Sequence, residues 1–322
     1  MVCIHAPIPG VFGEYFMTLT RIAVPTFFMI SGFFYEPRHV QKLIRRVFIY
    51  LLIGNIVYFL VHLGIKFLQG NVVTYIKDTF TMQNAINFMI FNESPFHVHL
   101  WYLGSILYVY FFVMVLEKMV GDYSKAQDYM LMVTPILLIC DLAFGKYSIL
   151  LFGQEFKTIY MRNWLFVGLP YFSIGKCLRR NRESIELKLR KVGTGWTLVF
   201  TILFILTTFI EHYVLVKIGA NATRDHYFST TMLAVSVFML FLMFFNKRTM
   251  SSDIGRNDST WIYILHPAFI ILTDAISGRF KIYGYFYFRP FLVFIASILC
   301  SEFILRIQKM WFNNQNEMDS RK

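Results

Sequence analysis

Long apolar runs follow one another along the whole chain, and each is about as long as a lipid bilayer demands. An α-helix rises 1.5 Å per residue, so about 17 to 25 mostly apolar residues cross the hydrocarbon layer. Such runs cover 16–35, 47–68, 99–116, 129–145, 161–178, 195–212, 227–245, 259–276 and 286–305. A backbone in lipid has no water to bond to, so these runs have to be helical. The sequence therefore reads as an all-α, polytopic membrane helix bundle with about nine spans, forming one integral-membrane domain over residues 1–322. Charged residues make up only 16% of the chain, against about a quarter in a soluble domain.

The formal net charge of +12 raises the question of nucleic acid. The basic residues sit in short clusters between apolar runs, which is a topology signal and not a nucleic-acid groove, so the partner is the lipid bilayer. With the first full run crossing from outside to inside, the connections 36–46, 117–128, 179–194 and 246–258 and the tail after 305 face the cytoplasm. They and their flanks hold most of the 31 Lys and Arg, the densest stretch being Lys176, Arg179, Arg180, Arg182, Lys188, Arg190 and Lys191. This gives a multi-pass protein with a cytoplasmic C-terminus. Trp101 and Trp164 then fall near the outer interface and Trp261 near the inner one, as in an aromatic belt. Residues 69–98 alternate apolar and polar and are expected to hold a short interfacial helix or a re-entrant segment. Ser31-Gly32 reads as a close helix-packing point. Residues 1–15 are left outside, and the simplest expectation is that Val2-Cys3-Ile4-His5 is the outer end of a preceding helix, giving ten in all.

On this topology His5, Glu14, Arg21, His97, His99, Asp141, Arg162, Asn163, Glu211, His212, Asp274 and Arg289 fall at or just inside outer helix ends. His266 lies about 10 Å above the inner boundary of its run. Charges at helix ends snorkel to the headgroups, which is the reading for Glu211, His212, Asp274 and Lys281. Arg21, His99, Arg162 and His266 differ, because each lies in an aromatic or apolar setting where a charge costs about 3 kcal/mol to insert. Each makes either an interhelical hydrogen bond or a catalytic or ligand contact. The clusters Arg38/Arg45/Arg46 and Arg179/Arg180 either clamp a phosphorylated co-substrate or only fix topology. Walker, GxGxxG, GxSxG and HExxH motifs are missing. Cys3, Cys140, Cys177 and Cys300 show no CxxC spacing, so neither a metal site nor a disulfide framework follows. Asn221-Ala-Thr223 matches a glycosylation acceptor, a sequon common by chance.

Four segments together resemble the membrane-bound acyltransferase family 3, the integral-membrane O-acyltransferases of bacterial envelopes. They are Arg21-Ile-Ala-Val-Pro-Thr-Phe-Phe-Met-Ile-Ser-Gly-Phe-Phe, His99-Leu-Trp-Tyr-Leu, Arg162-Asn-Trp-Leu-Phe-Val-Gly-Leu-Pro-Tyr-Phe-Ser-Ile-Gly and Ser259-Thr-Trp-Ile-Tyr-Ile-Leu-His266-Pro, in the family's order. The resemblance implies a ten-helix fold in the bacterial inner membrane. It also implies transfer of an acyl group, commonly acetyl, to a hydroxyl of an envelope glycan or glycolipid. The donor is cytoplasmic acyl-CoA, a co-substrate and not a resident cofactor. The family's catalytic arginine and histidine stand in the first helix with ten residues between them; His5 occupies the histidine position, and the arginine falls before Met1.

Attack of a sugar hydroxyl on a thioester needs a base near neutrality, for which His5 comes first and His266 second. It also needs a donor to the oxyanion, for which Arg21 or Arg162 is placed. His99, Trp101, Arg162, Asn163, Trp164 and Tyr263 make up the expected substrate-binding set, although Trp101 and Trp164 also suit belt anchoring. Arg45, Arg46, Arg179 and Arg180 are expected to receive acyl-CoA. Two other readings stay open: a transporter or flippase of envelope precursors, and a ligand-binding member of the same fold without turnover. A transporter more often shows paired helix breaks in related halves, and none is read here. The topology predicts that single cysteines placed at positions 21 and 99 label from the same face of the membrane; labelling from opposite faces would dismantle it.

Overall fold

In the computed structural model, residues 1–222, 226–244 and 250–320 are described. Thr223 of the glycosylation acceptor, Phe245 of the run 227–245 and the start of the connection 246–258 lie outside them. In chain order the helices are α1 (Val2–His5), α2 (Gly10–Thr20), α3 (Ala23–Phe33), α4 (Val40–Leu68), α5 (Val72–Thr79), α6 (Met82–Phe91), α7 (Trp101–Val120), α8 (Tyr123–Phe144) and α9 (Ser148–Phe152). A π-helical turn, Trp164–Gly168, runs into α10 (Leu169–Arg180). Then come α11 (Arg182–Val192), α12 (Thr194–Lys217), α13 (Phe228–Phe244), α14 (Met250–Asn257), α15 (Ser259–Phe280) and α16 (Tyr285–Ser320). Among the described residues there is no strand.

The apolar runs read from the sequence fall on these helices, two of them on more than one element. Among the described residues, seven segments are long and apolar enough to cross a membrane. The runs 161–178 and 227–245 are shorter: five π-helical residues followed by twelve of α10, and the 17 residues of α13. The apolar faces point outward. Phe48, Leu52, Ile56 and Leu60 form one exposed i, i+4 row on α4, and Leu198, Ile202, Leu206 and Ile210 form another on α12. Such stripes cover a core in a soluble protein; here they face lipid, and the chain is a multi-pass, all-α membrane protein.

Local sequence explains two departures from a simple rod. The run 16–35 is not one helix but breaks at Arg21-Ile22 between α2 and α3. Pro25 has no N–H to give the carbonyl of Arg21 and its ring crowds that carbonyl, so the helix restarts at Ala23. The segment 69–98 folds as the two short helices α5 and α6. Thr81 caps α6 by accepting from the Asn84 N–H at 3.2 Å, and Val73, Ile76, Met82, Ile86 and Met89 stay exposed, as an interfacial segment requires.

By packing, the chain forms two compact units. One comprises the first 17 residues with α14, α15 and α16. Within it, Val2 and Ala6 bury against Ile262 of α15 and Val293 of α16. The other unit holds α3 to α13, with α10 at its centre against α3, α8 and the π-turn, while α7 joins α4 to α8. The crossing of α3 and α10 is made backbone to backbone. A Cβ on Gly32 would lie 2.0 Å from the Phe172 carbonyl oxygen, and one on Gly175 would lie 2.0 Å from that of Met29. The packing role expected of Ser31-Gly32 is therefore met, with Gly175 as its counterpart. Belt placement fails for two tryptophans: Trp101 and Trp261 are buried in protein, each 6% exposed. A side chain forced into the crossing has no void to enter, so Gly175→Leu is expected to cost about 1–3 kcal/mol or more, seen as a lower unfolding temperature of the purified protein in detergent.

Candidate functional site

In the unit formed by the two chain ends, α15 carries the deepest imidazole. His266 is fully buried, and its Nδ1 lies 3.0 Å from the Ile262 carbonyl oxygen. A carbonyl only accepts, so Nδ1 bears the proton and Nε2 the lone pair, the form a base needs. Pro267 follows and offers no N–H to the carbonyl of Tyr263 four residues back. The Tyr263 ring lies 6.2 Å from that of His266. His5, at the end of α1, brings its ring within 5.2 Å of His266, tilted by 44°. The sequence had set these histidines toward opposite ends of their helices. They meet because Val2 and Ala6 seat α1 against Ile262, one turn before His266 on α15. In the same unit the Asp274 carboxylate, 40% exposed, accepts from the Tyr285 hydroxyl at 2.7 Å and pairs with Arg289 at 3.2 Å. Lys281 stays exposed.

In the other unit a residue passed over in the sequence ties together Trp101 and Trp164 of the expected substrate-binding set, whereas Tyr263 lies in the unit of His266. Asn92 takes a left-handed conformation at the end of α6 (φ 54°) and is 1% exposed. Its amide donates to the Trp101 carbonyl at 3.1 Å, and its oxygen accepts from the Trp164 N–H at 3.1 Å. Three chain segments are thereby clasped. The Arg162 guanidinium lies over the Trp101 ring at 5.5 Å, and the Trp164 ring packs against Phe112 at 5.5 Å. Asn163 has a structural duty: its oxygen accepts from Leu165 and Phe166 N–H at 2.9 and 3.2 Å, and its amide donates to the Tyr160 carbonyl at 2.8 Å. It caps the π-turn, which widens where Pro170 supplies no N–H.

His99 is buried, with its Nδ1 2.6 Å from that of His97. The Tyr58 ring stands edge-on at 4.7 Å from His99, and His62 stacks on His97 at 5.8 Å. Arg21, half-buried at the α2–α3 break, belongs to this unit and not to that of His5 and His266.

Between the end of α8 and the start of α13 lies a further ionisable cluster. The Asp141 carboxylate meets His226 Nδ1 at 2.8 Å, both side chains more than nine-tenths buried. They line a small recess, with room for about one water molecule, together with Lys146, Arg162 and Val167. Lys146 donates to the Ala222 carbonyl at 2.8 Å and sits 4.3 Å above the Tyr227 ring. Next to it, Glu211 accepts from the Phe228 and Ser229 N–H groups at 2.6 and 3.1 Å and from the Tyr147 hydroxyl at 2.5 Å. Burial and this carboxylate push the Tyr147 phenol above its usual range. Glu211 and His212 thus turn inward, contrary to the snorkelling reading. The free N–H groups opening α13 offer Glu211 more than headgroup water does, and the Tyr227 hydroxyl holds His212 at 3.0 Å.

A family model described as an acyltransferase domain matches residues 1–305. The chain belongs to acyltransferase family 3. No curated protein and no solved structure matches it.

This family 3 acyltransferase gathers its cations at the opposite end of α10. Lys176 and Glu117, 9% and 3% exposed, pair at 2.7 Å. The Tyr35 hydroxyl donates to the same carboxylate at 2.8 Å, and its ring lies 4.6 Å under the Lys176 ammonium. Sequence reading counted Lys176 only as one basic residue of a loop, because nothing local in the chain ties it to Glu117. Arg179 lies over the Phe33 ring at 5.5 Å and Arg180 pairs with Asp128 at 2.7 Å. Arg45 and Arg46 are exposed on the first turns of α4.

Breaking a buried pair leaves a charge without compensation, at a cost of about 3–5 kcal/mol, whereas replacing both partners by apolar groups is often neutral. Glu117→Ala is therefore expected to destabilise the acyltransferase strongly, and the Glu117→Leu/Lys176→Met double variant to recover most of the loss. Thermal unfolding of the three proteins in detergent measures both effects.

Proposed function

We propose that this membrane acyltransferase moves an acyl group, acetyl in the simplest case, from acyl-CoA to a hydroxyl of an envelope glycan or glycolipid in a bacterial inner membrane. The pairing of His5 with His266 at 5.2 Å carries the reading. His5 accepts the proton of the attacking hydroxyl as its oxygen bonds to the thioester carbonyl carbon. When the tetrahedral intermediate collapses, the C–S bond breaks and the same imidazolium protonates the departing CoA sulfur, so the base is restored within one turnover. His266, with Nδ1 committed to Ile262, keeps an acceptor nitrogen beside His5 and is assigned to orient it.

The orientation of the chain supports the same direction of transfer. With the C-terminus cytoplasmic, Arg45, Arg46, Arg179 and Arg180 stand on the side from which acyl-CoA arrives, where guanidinium groups suit its phosphates. Trp101, Arg162 and Trp164, with His99, stand on the opposite side, where aromatic faces suit sugar rings. Asn163 caps the π-turn that opens with Trp164.

Positioned acid–base groups contribute about 10²- to 10⁴-fold to rate. With radiolabelled acetyl-CoA and membranes of the producing bacterium as acceptor, His5→Ala is expected to lower transfer by at least about a hundredfold while the protein still inserts. Unchanged transfer in that variant would remove His5 from the chemistry.

A further inference from the structure

The basic connection between α10 and α12 is itself a helix, and both of its ends are tied to the membrane. α10, which carries the end of the apolar run 161–178, closes at Arg180, and α11 opens at Arg182 with Asn181 alone between them. At the other end only Gly193 separates α11 from α12, whose membrane-crossing segment is Gly195–Lys217. Gly193 takes φ 85° and ψ 148°, so α12 does not continue the axis of α11. A helix standing away from the bilayer would need a stretch of chain to return, and one residue is too few. The eleven residues of α11, about 16 Å long, therefore lie along the surface, packed against α10, α12 and α13. The helix has two faces. Ile185 and Leu189 are half-buried, as are Arg182 and Glu186, which pair at 2.6 Å. Ser184, Leu187, Lys188 and Lys191 form an exposed row at i, i+3, i+4 and i+7. Leu187 is 61% exposed, and Trp196 at the start of α12 is 59% exposed. Cations near the end of a helix suit its dipole, which accounts for the lysines but not for an open leucine among them.

From this arrangement we propose that the outer face of α11 is a docking surface for anionic phospholipid headgroups, those of the inner leaflet on the proposed orientation. The inference goes beyond the acyl-transfer reading and needs no step of it. Trp196 sets the depth, because an indole at the start of a span sits at headgroup level. Lys188 and Lys191 come shortly before it in the chain and share that level, since α11 runs along the surface. Leu187 then reaches the first carbons of the acyl chains. The lysines lay their methylene stems beside it and hold their ammonium groups among the phosphates. The carboxylate exposed on this helix, Glu183, lies in the first turn, at the end away from Lys188 and Lys191. A basic side chain at this depth favours an anionic surface by about fivefold. Ammonium groups act as point charges, so they select for negative charge and not for one headgroup shape.

Quenching of tryptophan fluorescence by brominated lipids, on the full-length protein in nanodiscs, tests the proposal without any acyl transfer. The signal of Trp196 is the difference between the protein and its Trp196→Phe variant. Brominated phosphatidylglycerol, diluted into phosphatidylcholine, is expected to quench that signal at least about threefold more effectively than brominated phosphatidylcholine at the same dilution. Lys188→Gln/Lys191→Gln is expected to abolish the preference and Lys188→Arg/Lys191→Arg to keep it, with melting curves showing that both variants are folded. At about 1 M salt, where screening acts over about 3 Å, the preference is expected to shrink. Equal or absent quenching by the two lipids would overturn the proposal, as would a preference that survives the double glutamine variant or high salt. Loss of the preference on adding coenzyme A would give the face to the co-substrate and overturn it as well.

Discussion

The crossing of α3 and α10 sets the positions of most polar groups in the larger unit. Inside lipid, helices gain little by hiding apolar side chains from one another, and they hold together through close contact and hydrogen bonds. Gly32 and Gly175 supply that closeness, each facing a carbonyl oxygen of the other helix at a distance no Cβ tolerates. From this crossing α10 leads one way to Lys176 and Arg180 and the other way, through the π-turn, to Asn163 and Arg162. Its partner α3 leads to Tyr35, which meets Lys176 at Glu117. The spacing between the two polar ends is thus fixed by the backbone of one short helix.

The spans were legible because length and polarity alone decide them, and the helix-packing role of Ser31-Gly32 followed from residue size. The break at Arg21 was equally open to reading, since Pro25 carries its cause, but a continuous apolar run masked it. Glu211 was not legible. A carboxylate at a helix end can reach for headgroups or cap another helix, and only the fold brings the start of α13 within its reach. Asn92 gave no local sign at all. Its value lies in two backbone groups, those of Trp101 and Trp164, that meet only after folding. His5 and His266 were each singled out, yet their pairing depends on α1 lying along α15, which no spacing along the chain announces.

Two imidazoles in this protein have one nitrogen committed to an acceptor of a different kind. His266 is held by a backbone carbonyl and His226 by a carboxylate. A carbonyl orients a ring without adding charge in a buried setting. A carboxylate supplies a full negative charge, which steadies the ring. The same residue type is thereby fixed in two different ways, by a backbone carbonyl in one unit and by a carboxylate in the other.

The length of α4 has a further consequence for how the molecule meets the bilayer. Its 29 residues extend about 43 Å, whereas the hydrocarbon slab is about 30 Å thick. At the common tilt of about 20°, some two turns are left over. The polar end of the helix takes up this excess, since Gln41, Lys42, Arg45 and Arg46 occupy its first two turns. Hydrophobic mismatch therefore lifts a rigid, cationic stub to the level of the lipid phosphates, where it stands clear of the slab without any loop to support it.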